Sequence, residues 1–144
     1  MFFLKELPSS EMIASVTADV PDVDPEHVQT VLERLRSASV LLRDIEAFLR
    51  THALSQTQFL ALMMIAREPE RNSLSAVEIS KRLDVSKPVL SKTIGSLMDK
   101  GLLAPAKEQP VDQRQKQLSL TEKGQSVFTN VLPGYFALLG GAAM

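Results

Sequence analysis

Residues 74–124, LSAVEISKRLDVSKPVLSKTIGSLMDKGLLAPAKEQPVDQRQKQLSLTEKG, decide how this chain folds. Ser75 and Glu78 form a capping box, with Leu74 and Ile79 as the apolar staple around it, so a short strand gives way to a short helix that ends at Leu83. Asp84-Val85 makes a turn. Ser86 caps the next helix, Pro88 fits its first turn, and Val85 pairs with Leu90. Leu90, Ile94 and Leu97 recur at i, i+4 and i+7 and face the core. That leaves Lys87, Pro88, Val89, Ser91, Lys92 and Ser96 outward or partly outward. Gly101 ends the helix as a left-handed cap. Residues 102–104 and 115–120 then read as two strands joined by a polar, proline-bearing loop. A short strand, two helices and a hairpin, in that order, make a winged helix-turn-helix.

Upstream, Leu54-Ser55-Gln56-Thr57-Gln58-Phe59 repeats the same device, with Ser55 and Gln58 as the box and Leu54 and Phe59 as the staple. The helix it starts is expected to bury Phe59, Leu62, Met63 and Ala66 on one face and to end before Pro69. Asp24-Pro25-Glu26 starts a long helix that runs to about residue 50. Val28, Leu35, Leu42 and Leu49, with Val31, Ala38 and Ile45 three places on, give it an a/d seam that Leu32, Leu41 and Phe48 widen. The seam reads either as a core helix or as one that also packs against a second subunit. Ser9-Ser10-Glu11 starts a short helix to about residue 18, and Phe2, Phe3, Leu4 and Leu7 are too apolar for a free tail. Downstream, Thr121 caps a helix through Phe128 and Val131, which Pro133-Gly134 is expected to kink or break.

The fold class is therefore mainly α with a small β-hairpin wing. Residues 1–50 read as an N-terminal extension and dimerisation helix, 51–121 as the winged helix-turn-helix, and 122–144 as a C-terminal dimerisation region.

Composition narrows the function. The 144 residues are 44% hydrophobic, enough for a packed core, and contain no cysteine, which excludes disulfides, thiolate metal sites and thiol redox sensing. No apolar run approaches the ~20 residues that span a bilayer, and the N-terminus lacks the basic flank of an export signal, so a cytoplasmic chain with no membrane partner is expected. Net charge is only -1, but it is unevenly spread. Residues 1–30 carry Lys5 against six acids, whereas 74–124 carry nine bases against six. That asymmetry places an anion-facing surface on the winged helix.

A helix fits the major groove of DNA, and the first turns of a recognition helix meet base edges. Lys87 and Lys92 reach phosphate or guanine, Ser86, Ser91 and Ser96 offer hydroxyls, and Pro88 and Val89 suit thymine methyls. A lysine early on a helix gains nothing from the macrodipole, so an external anion explains Lys87 better than helix stability does. In the hairpin tip, Asp112 orients Arg114, whose guanidinium suits a narrow minor groove, and Lys107 and Lys116 flank it for phosphates. The bland alternative is a solvated face and a surface ion pair worth ~0–1 kcal/mol.

Residues 54–124 resemble the MarR family of winged-helix transcription regulators. The resemblance rests on Leu54-Ser55-x-x-Gln58-Phe59, on Glu78-Ile79-x-x-Arg82-Leu83-x-Val85-Ser86-Lys87, and on Leu97-x-x-Lys100-Gly101-Leu102-Leu103. It continues through Asp112-x-Arg114-x-Lys116 and Leu118-Ser119-Leu120-Thr121-Glu122-Lys123-Gly124. It implies a homodimeric, DNA-binding transcriptional regulator, a repressor of palindromic operators released by a small aromatic or phenolic effector bound between the dimerisation and DNA-binding parts. Phe48, His52, Met63 and Phe128 are the candidate effector-lining residues, with core packing as the competing role for each. Compared with typical members the chain stops about a helix early and carries an acidic, apolar-spotted N-terminal extension. The expectation is that this extension and the helix over 25–50 supply part of the dimer surface.

The competing reading is a winged-helix adaptor that binds protein and no specific DNA. An enzyme is not expected. His27 and His52 are the only histidines, and no metal pair, phosphate-binding glycine loop or nucleophile elbow accompanies them, so no cofactor is implied.

Overall fold

The computed structural model describes residues 2–110 and 115–142. Its elements are α1 (Ser10–Val16), α2 (Pro25–Thr51), α3 (Gln56–Ala66), β1 (Leu74–Ser75), α4 (Ala76–Arg82), α5 (Lys87–Asp99), β2 (Leu103–Pro105), β3 (Gln117–Leu120) and α6 (Glu122–Gly140). The chain divides into two compact units, Met1–Ile45 with Ala137–Met144, and Glu46–Phe136.

In the first unit, Ser9 caps α1 by accepting from the Met12 amide at 3.1 Å, and Asp24 caps α2 by accepting from the Glu26 amide at 3.1 Å. The N-terminal segment is tied along α2: the Ser39 hydroxyl accepts from the Phe2 amide at 3.2 Å and donates to the Phe2 carbonyl at 2.9 Å, while Gln29 donates to the Pro8 carbonyl at 3.4 Å. Phe2 is thus anchored, but Phe3 remains 78% exposed. The seam of α2 is unevenly covered. Ile45 is buried, whereas Val31, Leu35 and Leu42 keep 37%, 46% and 38% of their surface exposed. Leaving three large aliphatic side chains at heptad spacing partly in water forgoes roughly 0.5–1 kcal/mol of burial at each.

The second unit is built round α3. Phe59, Ala61, Leu62 and Ile65 are fully enclosed and Met64 nearly so. This is wider burial than a single face, because α4, α5 and β3 all pack on this helix. Met63, expected in the core, is only half-buried, and Met64 takes its place. Both capping boxes form, at Ser55–Gln58 and at Ser75–Glu78.

The sheet order is β1-β3-β2, antiparallel throughout, with Leu74 opposite Leu118 and Leu103 opposite Leu120. The first strand of the hairpin starts one residue later than the sequence suggests. Leu102 is occupied by the helix end: its amide donates to the Leu97 carbonyl and the Gly101 amide to Met98, a Schellman turn with Gly101 at φ +72°. Pro105 closes β2, which is an edge strand, where the missing N–H costs no ladder bond.

At the end of α2 the same turn is made with Ala53 at φ +56°, the Leu54 amide reaching back to Leu49. An alanine there carries ~1 kcal/mol of strain that glycine avoids. The Lys100 ammonium offsets part of it by donating to the Ala53 carbonyl at 2.6 Å.

α6 corrects one expectation. It runs unbroken through Pro133. A mid-helix proline costs ~3 kcal/mol, but Phe128, Val131 and Tyr135 are all buried, and Phe128 and Tyr135 pack on Phe59 with ring centroids 5.7 and 4.7 Å away. Packing on both sides of the proline outweighs the lost hydrogen bond. A Cβ on Gly134 would lie 2.5 Å from the Phe48 ring, which would then have to shift.

Candidate nucleic-acid interface

α5 begins where Ser86 accepts the Val89 amide at 3.3 Å. Leu90, Thr93 and Leu97 root it in the core. Gln58 of α3 fastens it further, donating to the Ser96 hydroxyl at 2.9 Å and accepting from the Lys100 ammonium at 3.0 Å. The Thr93 hydroxyl lies 3.2 Å from that of Thr57. Rooted in this way, the helix presents Lys87, Pro88, Val89, Ser91 and Lys92 to solvent, with Ser86 exposed just before them. Ser96 differs from the others expected on this face. It is half-buried and its hydroxyl serves the packing on α3. Thr93, unremarked in the sequence, is the buried polar residue that fixes the helix's rotation, and its place one turn before Leu97 was the available signal.

The wing is held by side chains as much as by its ladder. Gln109 donates to the carbonyls of Ala106 at 2.8 Å and Gln117 at 2.9 Å and accepts from the Gln117 amide at 2.8 Å, so one amide group stands in for a further strand pair. Lys107 and Lys116 are exposed on either side. Asp112 and Arg114 lie outside the described residues.

Below the wing, Glu78 ties three elements together. Its carboxylate accepts from Arg71, from Gln117 at 3.2 Å and from the Ser75 amide at 3.1 Å. Gln117 in turn accepts from Ser73 at 2.8 Å. The Arg71 bond, helped by those from Gln117 and Ser75, lowers the Glu78 pKa from 4.5 to about 2. A depressed carboxylate pKa stabilises the fold above the unfolded value and is lost as pH falls through the folded one. Resistance to urea should therefore fall as pH drops from about 4.5 towards 2, and Glu78→Gln should lose resistance at neutral pH while showing a flatter dependence across that window. Parallel urea curves for the two chains at pH 6, 4 and 3 would refute this assignment.

A cleft of about 840 Å³ opens beside this network, lined among others by Arg71, Ser73, Lys107, Gln109, Gln117 and Gln125. Phe48, His52, Met63 and Phe128 do not line it. Phe48 meets His52 edge-on at 5.0 Å, while Phe128 stacks separately on Phe59 in the core. His52 is exposed and Met63 half-buried. Among the described residues, no group of His, Cys, Asp or Glu side chains is placed to hold a metal ion, and no helix is long and apolar enough to cross a membrane.

The MarR family model matches residues 54–115. No curated protein matches this chain. Among solved structures, Sco3205 of Streptomyces coelicolor, a MarR family transcriptional regulator in complex with DNA, is similar at TM-score 0.75 and 21% identity over 84% of this chain and 75% of that one. AbsC, a MarR family transcriptional regulator of the same organism, is similar at TM-score 0.67 and 20% identity over 94% and 80%. BpsR of Bordetella bronchiseptica, whose DNA binding is regulated by 6-hydroxynicotinic acid, is similar at TM-score 0.67 and 20% identity over 85% and 83%. The fold is that of MarR family transcription regulators.

Proposed function

We propose that the chain, whose residues 54–115 match the MarR family model, is a sequence-specific DNA-binding regulator, a homodimeric repressor of palindromic operators. The observation that carries the reading is the exposed first half of α5. Lys87, Pro88, Val89, Ser91 and Lys92 face solvent on a helix whose other side is fixed by Leu90, Thr93 and Leu97. Such a surface suits base edges and phosphates of a major groove. Lys107 and Lys116 of the wing suit the adjacent phosphates, and Asp112 and Arg114 belong to the same proposal as the minor-groove pair. The neighbour solved with DNA supports this use of the fold.

The half-exposed seam of α2 supports the homodimer. Two α5 helices related by a two-fold would read half-sites about one helical turn, ~34 Å, apart. An effector of small aromatic or phenolic chemistry, as 6-hydroxynicotinic acid is for BpsR, would shift the separation of the two helices and release the operator. Phe48, His52, Met63 and Phe128 remain the residues proposed for it.

The test is binding to a duplex selected from random DNA. Lys87→Ala should bind about tenfold more weakly and lower the slope of log affinity against log salt by about one. A selection that enriches no palindrome, or a Lys87→Ala chain that binds like the parent across the salt series, would overturn the reading. The first result would leave the protein-binding adaptor in its place.

A further inference from the structure

Residues 74–124 hold three glycines, and two of them have visible reasons. Gly101 needs its positive φ, and a Cβ on Gly124 would strike the Leu102 backbone. Gly95 is different. It lies in the interior of α5, it is exposed, and a Cβ built on it meets nothing within 4 Å. Glycine is the poorest helix former after proline, so α5 is weaker for having it there. Nothing among the described residues requires this.

Gly95 shares a face with Ser91 and Lys92, one turn earlier at i−4 and i−3. It also lies eight residues beyond Lys87, or ~12 Å along the helix axis. A major groove is ~12 Å wide. A helix whose first turn meets base edges carries its later turns out towards the sugar–phosphate edge of the groove. Resting on the reading of the chain as a DNA-binding protein, we infer that Gly95 is a positioning residue, the point at which the sugar–phosphate wall of the duplex seats directly against the α5 backbone. Any Cβ there holds the helix off the wall.

Because the contact is steric and carries no charge, its removal has a signature that a lysine substitution lacks. Gly95→Ala should raise the melting midpoint by about 3 °C through helix propensity. It should also weaken binding to the selected duplex about tenfold, an overpacking effect that Gly95→Leu enlarges to about a hundredfold. The slope of log affinity against log salt should stay at the parent value, because no phosphate-neutralising cation has been lost. The loss should be equally large on an unrelated duplex, since a wall contact does not read sequence.

Parent-like binding by both variants, a lowered melting midpoint for Gly95→Ala, or a loss confined to the selected duplex would each overturn the inference. A parent chain that binds no duplex at all overturns the proposed function itself, so the two failures are distinguishable.

Discussion

Gly124→Ala should unfold roughly 10 °C below the parent chain, corresponding to about 3 kcal/mol of overpacking in a domain of this size. A Cβ at residue 124 would overlap the Leu102 carbonyl oxygen and come within 3.0 Å of its carbon. Both are backbone atoms, so no side chain can rotate away. The Leu102 carbonyl is also held in place, since it accepts the Thr121 amide at 3.1 Å. Its neighbours are held likewise: the Thr121 hydroxyl donates to the Gly101 carbonyl at 2.6 Å and the Lys123 ammonium to the Lys100 carbonyl at 3.0 Å. Three successive carbonyls at the end of α5 are thus occupied by the first residues of α6, and the Thr121 hydroxyl still accepts the Gly124 amide at 3.0 Å as the α6 cap. Displacing residue 124 pulls on all of these at once. Gly140→Ala is the control, because a Cβ there meets nothing within 4 Å. It should melt at or slightly above the parent temperature. Thermal unfolding followed by far-ultraviolet circular dichroism measures both, and a Gly124→Ala chain that melts with the parent would show that α5 and α6 are not locked at this point.

The junction also shows what a sequence reveals and what it hides. Gly101, Thr121, Ser55, Ser75 and Ser86 were legible because caps are local: each capping donor and acceptor lies within five residues of its partner. The order of elements followed from those punctuation marks and from the apolar spacing between them. Glu78 was half legible. Its capping role lies three residues from Ser75, but its bond to Gln117 spans 39 residues and depends on the β1–β3 pairing. Gln109 acting as a strand residue, and Ser96 turned to Gln58, are non-local in the same way. Pro133 misled because local propensity predicts a break wherever packing is unknown, and here the Phe59–Phe128–Tyr135 cluster holds the helix on both sides of it. Gly95 goes unremarked in the sequence, and it acquires meaning only from its empty surroundings.

Leu35→Glu with Leu42→Glu should convert the chain to a monomer and reduce palindrome binding at least a hundredfold. The two side chains, with Val31, lie at heptad spacing on α2 and remain 46% and 38% exposed in the single chain. If this surface faces water in the working protein, two added carboxylates cost almost nothing, as exposed substitutions usually do. If it faces its two-fold mate, four carboxylates enter one apolar contact. Each must then be desolvated without a partner or be protonated, at several kcal/mol in total. A dimer of nanomolar strength does not survive that, since every 1.4 kcal/mol is tenfold in the dissociation constant. The consequence for DNA follows from avidity. A dimer that has bound one half-site presents its second α5 to the other at high effective concentration, and a monomer loses that advantage. Sedimentation velocity gives the oligomeric state, and titration against the full palindrome and an isolated half-site separates the two contributions. The variant should bind the half-site much as the parent protomer does, because α5 and the wing are untouched, and lose affinity only for the pair. A variant that sediments with the parent and keeps its palindrome affinity would remove α2 from the dimer interface and leave Val31, Leu35 and Leu42 to some other partner.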